Sequence, residues 1–237
     1  MSSINKSQVA KLNISYYDKI AGSYDDILNE ESSNKVVRER VREKFTTLVP
    51  EKELVLDFGG GTGVDLDWLT ANQYTILFCE PSASMREKAI HGGNKAQDRH
   101  VIFLENDKTD FSTWHENLPF ERQADAILAN FGVINCIPDI NLLFQNLSLI
   151  IKPGGHFIAV FLDRPLRKMW SWHRRNTLKT LLLGLPFMMY VYYKENKQTV
   201  FVHSVKEIKR AAASSFDYVS HERISNTGFI LIHLVKK

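Results

Sequence analysis

The strongest chemical signal in the chain is a glycine-rich turn. Val55-Leu56-Asp57-Phe58-Gly59-Gly60-Gly61-Thr62-Gly63 runs an apolar stretch straight into four glycines. Glycine lets the backbone bend sharply and lets a ligand approach the main chain closely. A dinucleotide turn needs G-x-G-x-x-G, but counted from Gly59 the sixth position is Val64. A phosphate loop needs a lysine after its last glycine, and Val64 stands there too. The spacing that fits is acid-x-Gly-x-Gly-x-Gly, with Asp57, Gly59, Gly61 and Gly63. Further on, Glu80 ends a second apolar run, where a carboxylate can accept two charge-assisted hydrogen bonds from a sugar diol.

This pattern resembles motif I of the class I S-adenosylmethionine-dependent methyltransferases. The resemblance covers Tyr16 to Leu162. It implies S-adenosylmethionine as cofactor, with Asp57, Gly59, Gly61, Gly63 and Glu80 around it. Pro81-Ser82-Ala83-Ser84-Met85 resembles the family's acidic loop, in which an apolar residue after the acid packs on adenine; Met85 is the candidate, and core packing is its other reading. Asp107, in Asn106-Asp107, matches the residue that meets the adenine amino group. Asp110 is its competitor, and a helix cap is the bland reading of Asp107. Asn130 and Phe131, in Ala129-Asn130-Phe131-Gly132, fall where the reacting methyl lies. They lack the prolines of amino-methylating nucleic-acid enzymes, so the run looks more like small-molecule members. Tyr16-Tyr17-Asp18-Lys19-Ile20-Ala21-Gly22-Ser23-Tyr24-Asp25 resembles the opening of such members, where it forms a lid; Tyr17 and Tyr24 are the candidate contacts. No catalytic base stands out. His173, His203 and Tyr24 are weak candidates, and no cluster has metal-ligand spacing.

The elements that must position these residues follow a regular rhythm. Strands are expected near Glu53–Phe58, Tyr74–Glu80, His100–Glu105, Ala124–Phe131 and Gly155–Leu162. Helices are expected over Thr62–Ala71, over Ser82–His91 with Ser84 and Glu87 as a capping box, and over Asn141–Ile150. Before them, Ile14–Asn29 reads as a short helix with loops, and Glu31–Thr47 as a helix with Val37, Val41 and Phe45 on one face. After them come a helix capped by Ser204 and Glu207 and two strands, Phe216–Ile224 and Gly228–Val235, around an Asn226-Thr227-Gly228 turn. This alternation predicts an α/β, Rossmann-like, doubly wound sheet, mostly parallel, with a terminal antiparallel hairpin and helices on both faces. Residues 1–237 then form a single methyltransferase domain, with residues 1–50 as an N-terminal helical cap and 163–203 as an inserted substrate-side lobe.

Composition narrows the class. The 237 residues are 44% hydrophobic and 24% charged, which excludes a disordered chain or a collagen. Cys79 and Cys136 sit in apolar runs and read as buried thiols. Met1–Ala10 lacks the apolar core of a leader, and no apolar run approaches the roughly 18 residues a membrane span needs. The expectation is a soluble, cytoplasmic protein. Net charge is +3, so a whole-protein nucleic-acid footprint is absent. However, six basic residues and no acidic one fall between 164 and 179, followed by an apolar and aromatic run to Tyr193. Residues 164–193 have three readings: a lobe lining the site for an aromatic or lipid-like substrate, a membrane or carrier contact, or a helical lobe packed on the core.

The expected activity is methyl transfer from S-adenosylmethionine to a small-molecule acceptor (aromatic, polyketide or lipid-like), on oxygen or nitrogen. The alternatives are a nucleic-acid methyltransferase and a non-catalytic member that binds the cofactor only.

Overall fold

The computed structural model describes residues 5–30, 32–92, 98–163 and 187–237. A mostly parallel seven-stranded sheet organises them. Its strands are β1 (Leu54–Phe58), β2 (Thr75–Cys79), β3 (Val101–Phe103), β4 (Ala124–Ala129), β5 (Ile151–Leu162), β8 (Phe216–Arg223) and β9 (Phe229–Lys236). They lie in the order β3-β2-β1-β4-β5-β9-β8. The first five run parallel, and β9 and β8 are antiparallel, as the turn at Asn226 predicts. Strand order reverses between β1 and β4. That is the switch point at which open α/β sheets open a crevice beyond their strand C-termini.

Alternation along β1 separates two cores. Leu54, Leu56 and Phe58 point into a cluster with Trp114, Phe144 and Phe157, which is covered by α6 (Ile140–Ile150) and α7 (Val205–Ala212). Val55 points into the opposite cluster, with Ile76, Phe78 and Leu128. There it meets Val37, Val41 and Phe45 of α3 (Ser32–Leu48) and Leu66 and Leu69 of α4 (Leu66–Ala71). Both faces are dry, which is why the central strands read as continuous apolar runs.

Several local expectations shift. The helix after the glycines begins at Leu66 rather than Thr62, because residues 59–63 spend three left-handed glycine conformations on the turn. Helix α5 (Ala83–His91) is capped by Ser82, whose hydroxyl accepts from the Met85 N–H; Ser84 sits inside its first turn. The Ser204–Glu207 capping box forms as expected. Within residues 1–50, α1 (Lys6–Ile20) and α2 (Tyr24–Glu30) border the crevice, whereas α3 is a sheet-packing helix.

Of the three readings of 164–193, the helical one does not hold over its last residues: β6 (Met188–Tyr193) and β7 (Asn196–Phe201) form a separate antiparallel hairpin. Its Tyr, Val and Thr content suits a pleated strand, and Lys194 adopts a positive φ of 52° at the turn. Residues 164–186, which carry the basic stretch, Trp170, Trp172 and His173, lie outside the described residues. No described helix is long and apolar enough to cross a membrane.

Two buried asparagines fasten the hairpin to the body. Asn135 donates to the Phe201 carbonyl at 2.7 Å and accepts from the Leu162 N–H at 2.7 Å. Asn13 of α1 donates to the Thr199 carbonyl at 2.9 Å and accepts from the Thr199 N–H at 3.0 Å, pairing with β7 as a strand would. Asn135→Leu leaves two buried backbone groups unpaired. It should lower the unfolding free energy by about 2–4 kcal/mol, read as a fall in urea midpoint at constant slope.

Candidate functional site

A cavity of about 750 Å³ opens at the C-terminal edge of the parallel strands. Its floor comes from the ends of β1 (Asp57, Phe58), β2 (Cys79, Glu80) and β4 (Asn130), and α1 and α2 wall it. The glycine turn bends over this floor. Gly59, Gly61 and Gly63 have φ of 75°, 58° and 78°, a region closed to most side chains. Their surroundings differ. A Cβ on Gly59 would lie 2.7 Å from Val133, and one on Gly63 would lie 2.9 Å from Leu66. A Cβ on Gly61 would meet only the Tyr24 ring, at 3.6 Å, so this main chain faces the open cavity.

Gly60 is constrained by packing, which the acid-x-Gly-x-Gly-x-Gly spacing does not show. Its φ is not positive, but a Cβ there would collide with the Phe78 ring and come within 2.6 Å of Asp57 Oδ2. The signal was the unbroken glycine triplet itself; the collision involves β2, which the local sequence does not show.

Glu80 ties the turn to the loop after β2. Its carboxylate accepts from the Gly61 N–H at 2.9 Å and from the Ser82 N–H at 2.7 Å. Burial dominates its titration and pushes it up to about 7, although the two N–H donors and Arg86 pull the other way. Asp57 is raised well above the usual carboxylate range by burial, then by Asp65 and Glu80; its Oδ2 is buried with no hydrogen-bond partner among the described residues. Asp65 accepts from Trp68 Nε1 at 2.7 Å and from Asn130 Nδ2 at 2.8 Å.

The N-terminal segment is stapled to this floor through its aspartates. Asp18 accepts from the Ser82 hydroxyl at 2.7 Å and the Ser84 N–H at 3.1 Å, and Asp25 accepts from the Thr62 hydroxyl at 2.5 Å. The Tyr17 and Tyr24 rings pack edge to face, 6.0 Å apart, in the cavity wall.

The structure thus gathers Asp57, Gly59, Gly61, Glu80, Met85, Asn130, Phe131, Tyr17 and Tyr24 on one cavity, with Gly63 packing behind the turn. Phe131 takes a positive φ of 51° there. It does not bring in two other candidates. Asp107 is exposed on a 3₁₀ turn away from the wall, whereas Asn106 and Asp110 line it. His203 is buried behind the site, with its ring parallel to that of Phe201. His173 lies outside the described residues.

A family model described as a methyltransferase domain matches residues 33–219. The chain belongs to this family. It is a class I S-adenosylmethionine-dependent methyltransferase. Among curated relatives, the demethylmenaquinone methyltransferase of Thermobifida fusca (strain YX) is 27% identical, over 73% of this chain and 69% of that protein. The demethylmenaquinone methyltransferase of Staphylococcus saprophyticus is 24% identical, over 88% of this chain and 82% of that protein. Among solved structures, a DhpI–SAM–HEP complex superposes with a TM-score of 0.71 at 17% identity over 100% of both chains. A Burkholderia thailandensis 1,6-didemethyltoxoflavin-N1-methyltransferase, bound to 1,6-didemethyltoxoflavin and S-adenosylhomocysteine, gives 0.68 at 15% identity, over 100% of this chain and 92% of that one. At these identities the solved structures speak for the fold alone.

The methyltransferase turn supplies its own test. Gly60→Ala should cost about 1–3 kcal/mol in stability by overpacking, and should weaken S-adenosylhomocysteine binding in calorimetry. Wild-type behaviour of this variant would mean that the Phe78 and Asp57 contacts do not constrain the turn.

Proposed function

We propose that this protein transfers a methyl group from S-adenosylmethionine to a small, apolar, ring-bearing acceptor. The observation that carries the reading is the mixed lining of the cavity. Beside the glycine turn and the carboxylates, Ala10, Ile14, Phe111, Val133, Ile137 and Leu142 line it. An apolar wall with a few fixed polar groups selects a ligand by shape and desolvation. The two curated relatives, named for demethylmenaquinone, point to the same class of acceptor.

The polar lining fits the cofactor by the groups it presents. An ionised carboxylate has about four lone-pair positions. Glu80 uses one on each oxygen for Gly61 and Ser82, which leaves one on each for a ribose diol. Asp57 Oδ2, buried and without a partner among the described residues, suits a cationic or N–H donor such as the methionine ammonium. Met85 and Asp110 line the same cavity, and Asp107 does not. When bound, S-adenosylmethionine supplies an electrophilic methyl on a sulfonium, with a neutral thioether as leaving group. The protein's own contribution is to align acceptor and methyl and to keep water out, under α1 and α2.

Two tests follow. Glu80 titrates near 7, and its ionised form is the better acceptor for hydroxyls. S-adenosylhomocysteine affinity should therefore rise from pH 6 to pH 8, and Glu80→Gln should flatten that rise and lose about 1.5–3 kcal/mol at pH 8. Unchanged affinity in the variant would remove Glu80 from the site. Transfer of labelled methyl should be found with apolar ring acceptors and not with RNA; the reverse preference would sink the acceptor reading.

A further inference from the structure

Three polar side chains from distant parts of the chain converge at the cavity wall. Gln198 Nε2, on β7, lies 2.7 Å from the Tyr17 hydroxyl and 3.2 Å from the Cys136 sulfur. The Tyr17 hydroxyl and the Cys136 sulfur are 3.3 Å apart. Tyr17 and Cys136 line the cavity, and Gln198, 8% exposed, supports them without lining it.

The proton count is informative. An amide nitrogen has only protons to give, so both Gln198 contacts are donations. The Tyr17 oxygen is then occupied as an acceptor. Its own proton has two destinations: the Cys136 sulfur, a weak acceptor, or a ligand in the cavity. Burial, then Cys136 and Tyr24, holds the Tyr17 phenol well above its ordinary value, and burial pushes the Cys136 thiol up to about 11. Both keep their protons at neutral pH. Burial, then Cys136 and the carboxylates Glu80, Asp65 and Asp25, raises Tyr24, and Glu80 also raises Cys136.

We propose that Tyr17 donates a hydrogen bond to an acceptor bound through an ionised ring oxygen, a phenolate or enolate, and that Gln198 is the positioning residue that aims this hydroxyl. The proposal rests on the reading of a ring-bearing acceptor and narrows it to acidic hydroxy-aromatics and enols. A negative oxygen gains more from a fixed donor than a neutral one, because charge-assisted bonds are stronger. It also suits a site whose cofactor is a cation. The hairpin thereby acquires a role: through Gln198 it reaches the acceptor's oxygen by way of the lid.

The probe is 4-nitrophenol, whose anion is read by its visible absorbance, bound to the full chain saturated with S-adenosylhomocysteine. Bound dye should titrate about one pH unit lower on the wild type than on Gln198→Leu, a tenfold preference for the anion. Gln198→Glu should lose the preference as well, because a carboxylate takes the Tyr17 proton for itself; Tyr17→Phe should match them. Calorimetric binding of S-adenosylhomocysteine within about twofold of wild type in both Gln198 variants shows that they have folded. Equal dye titration in wild type and variants overturns the proposal while leaving the ring-acceptor reading standing. So does a Gln198→Glu variant that keeps the shift, because the Tyr17 proton would then not be its source. Failure of the dye to bind the loaded wild type overturns the ring-acceptor reading, and this proposal with it.

Discussion

One buried carboxylate organises the working edge of this protein. Glu80 accepts from the Gly61 and Ser82 N–H groups, joining the turn after β1 to the loop after β2. A carboxylate in such a place is costly unless it is hydrogen-bonded, and two backbone donors offset part of that cost. The turn can bring Gly61 to it only because Gly59, Gly61 and Gly63 adopt backbone angles closed to most residues, and because Gly60 carries no side chain to strike Phe78. The parallel register of β1 with β2, Phe58 opposite Cys79, sets the two loops side by side. The cavity follows from that adjacency.

A second layer depends on the first. Asp18 bonds to Ser82 and Ser84 at the start of α5, and Asp25 bonds to Thr62 in the glycine turn. The N-terminal helices are thus attached to the two loops that Glu80 joins. On the other side, Asn13 pairs with Thr199 and Asn135 with Leu162 and Phe201, so the β6–β7 hairpin is attached to α1 and to β5. The N-terminal helices, the floor and the hairpin are thus joined by polar bonds around the cavity. Such circuits are strong when complete and costly when broken.

The parts legible in the sequence were those with local causes. The alternation of strands and helices, the glycine turn, Glu80 at a strand end, and the Asn226-Thr227-Gly228 hairpin each announce themselves within a dozen residues. The rest was set by distance. Met188 to Tyr193 reads as the end of an apolar run beginning at Leu181, and only pairing with Asn196–Phe201 makes it a strand. Asp107 and Asp110 sit in neighbouring short turns, and the path of the chain after β3 decides which borders the cavity. Ser82 and Ser84 are equivalent as cap residues by type, and the φ of −72° and ψ of 117° at Ser82 decide between them. Gln198, Asn13 and Asn135 gave no signal, because their partners lie 27 to 186 residues away along the chain.

The central claim is that Glu80 is a buried carboxylate poised to receive the cofactor. Carboxyl-carbon NMR of selectively labelled protein, titrated with and without S-adenosylhomocysteine, tests it most directly. Glu80 should titrate near 7 in the free protein, and ligand should move its resonance and lower its midpoint, since hydroxyl donors favour the ionised form. A Glu80 resonance that titrates at an ordinary glutamate value near 4.3, or that ignores the ligand, would contradict it.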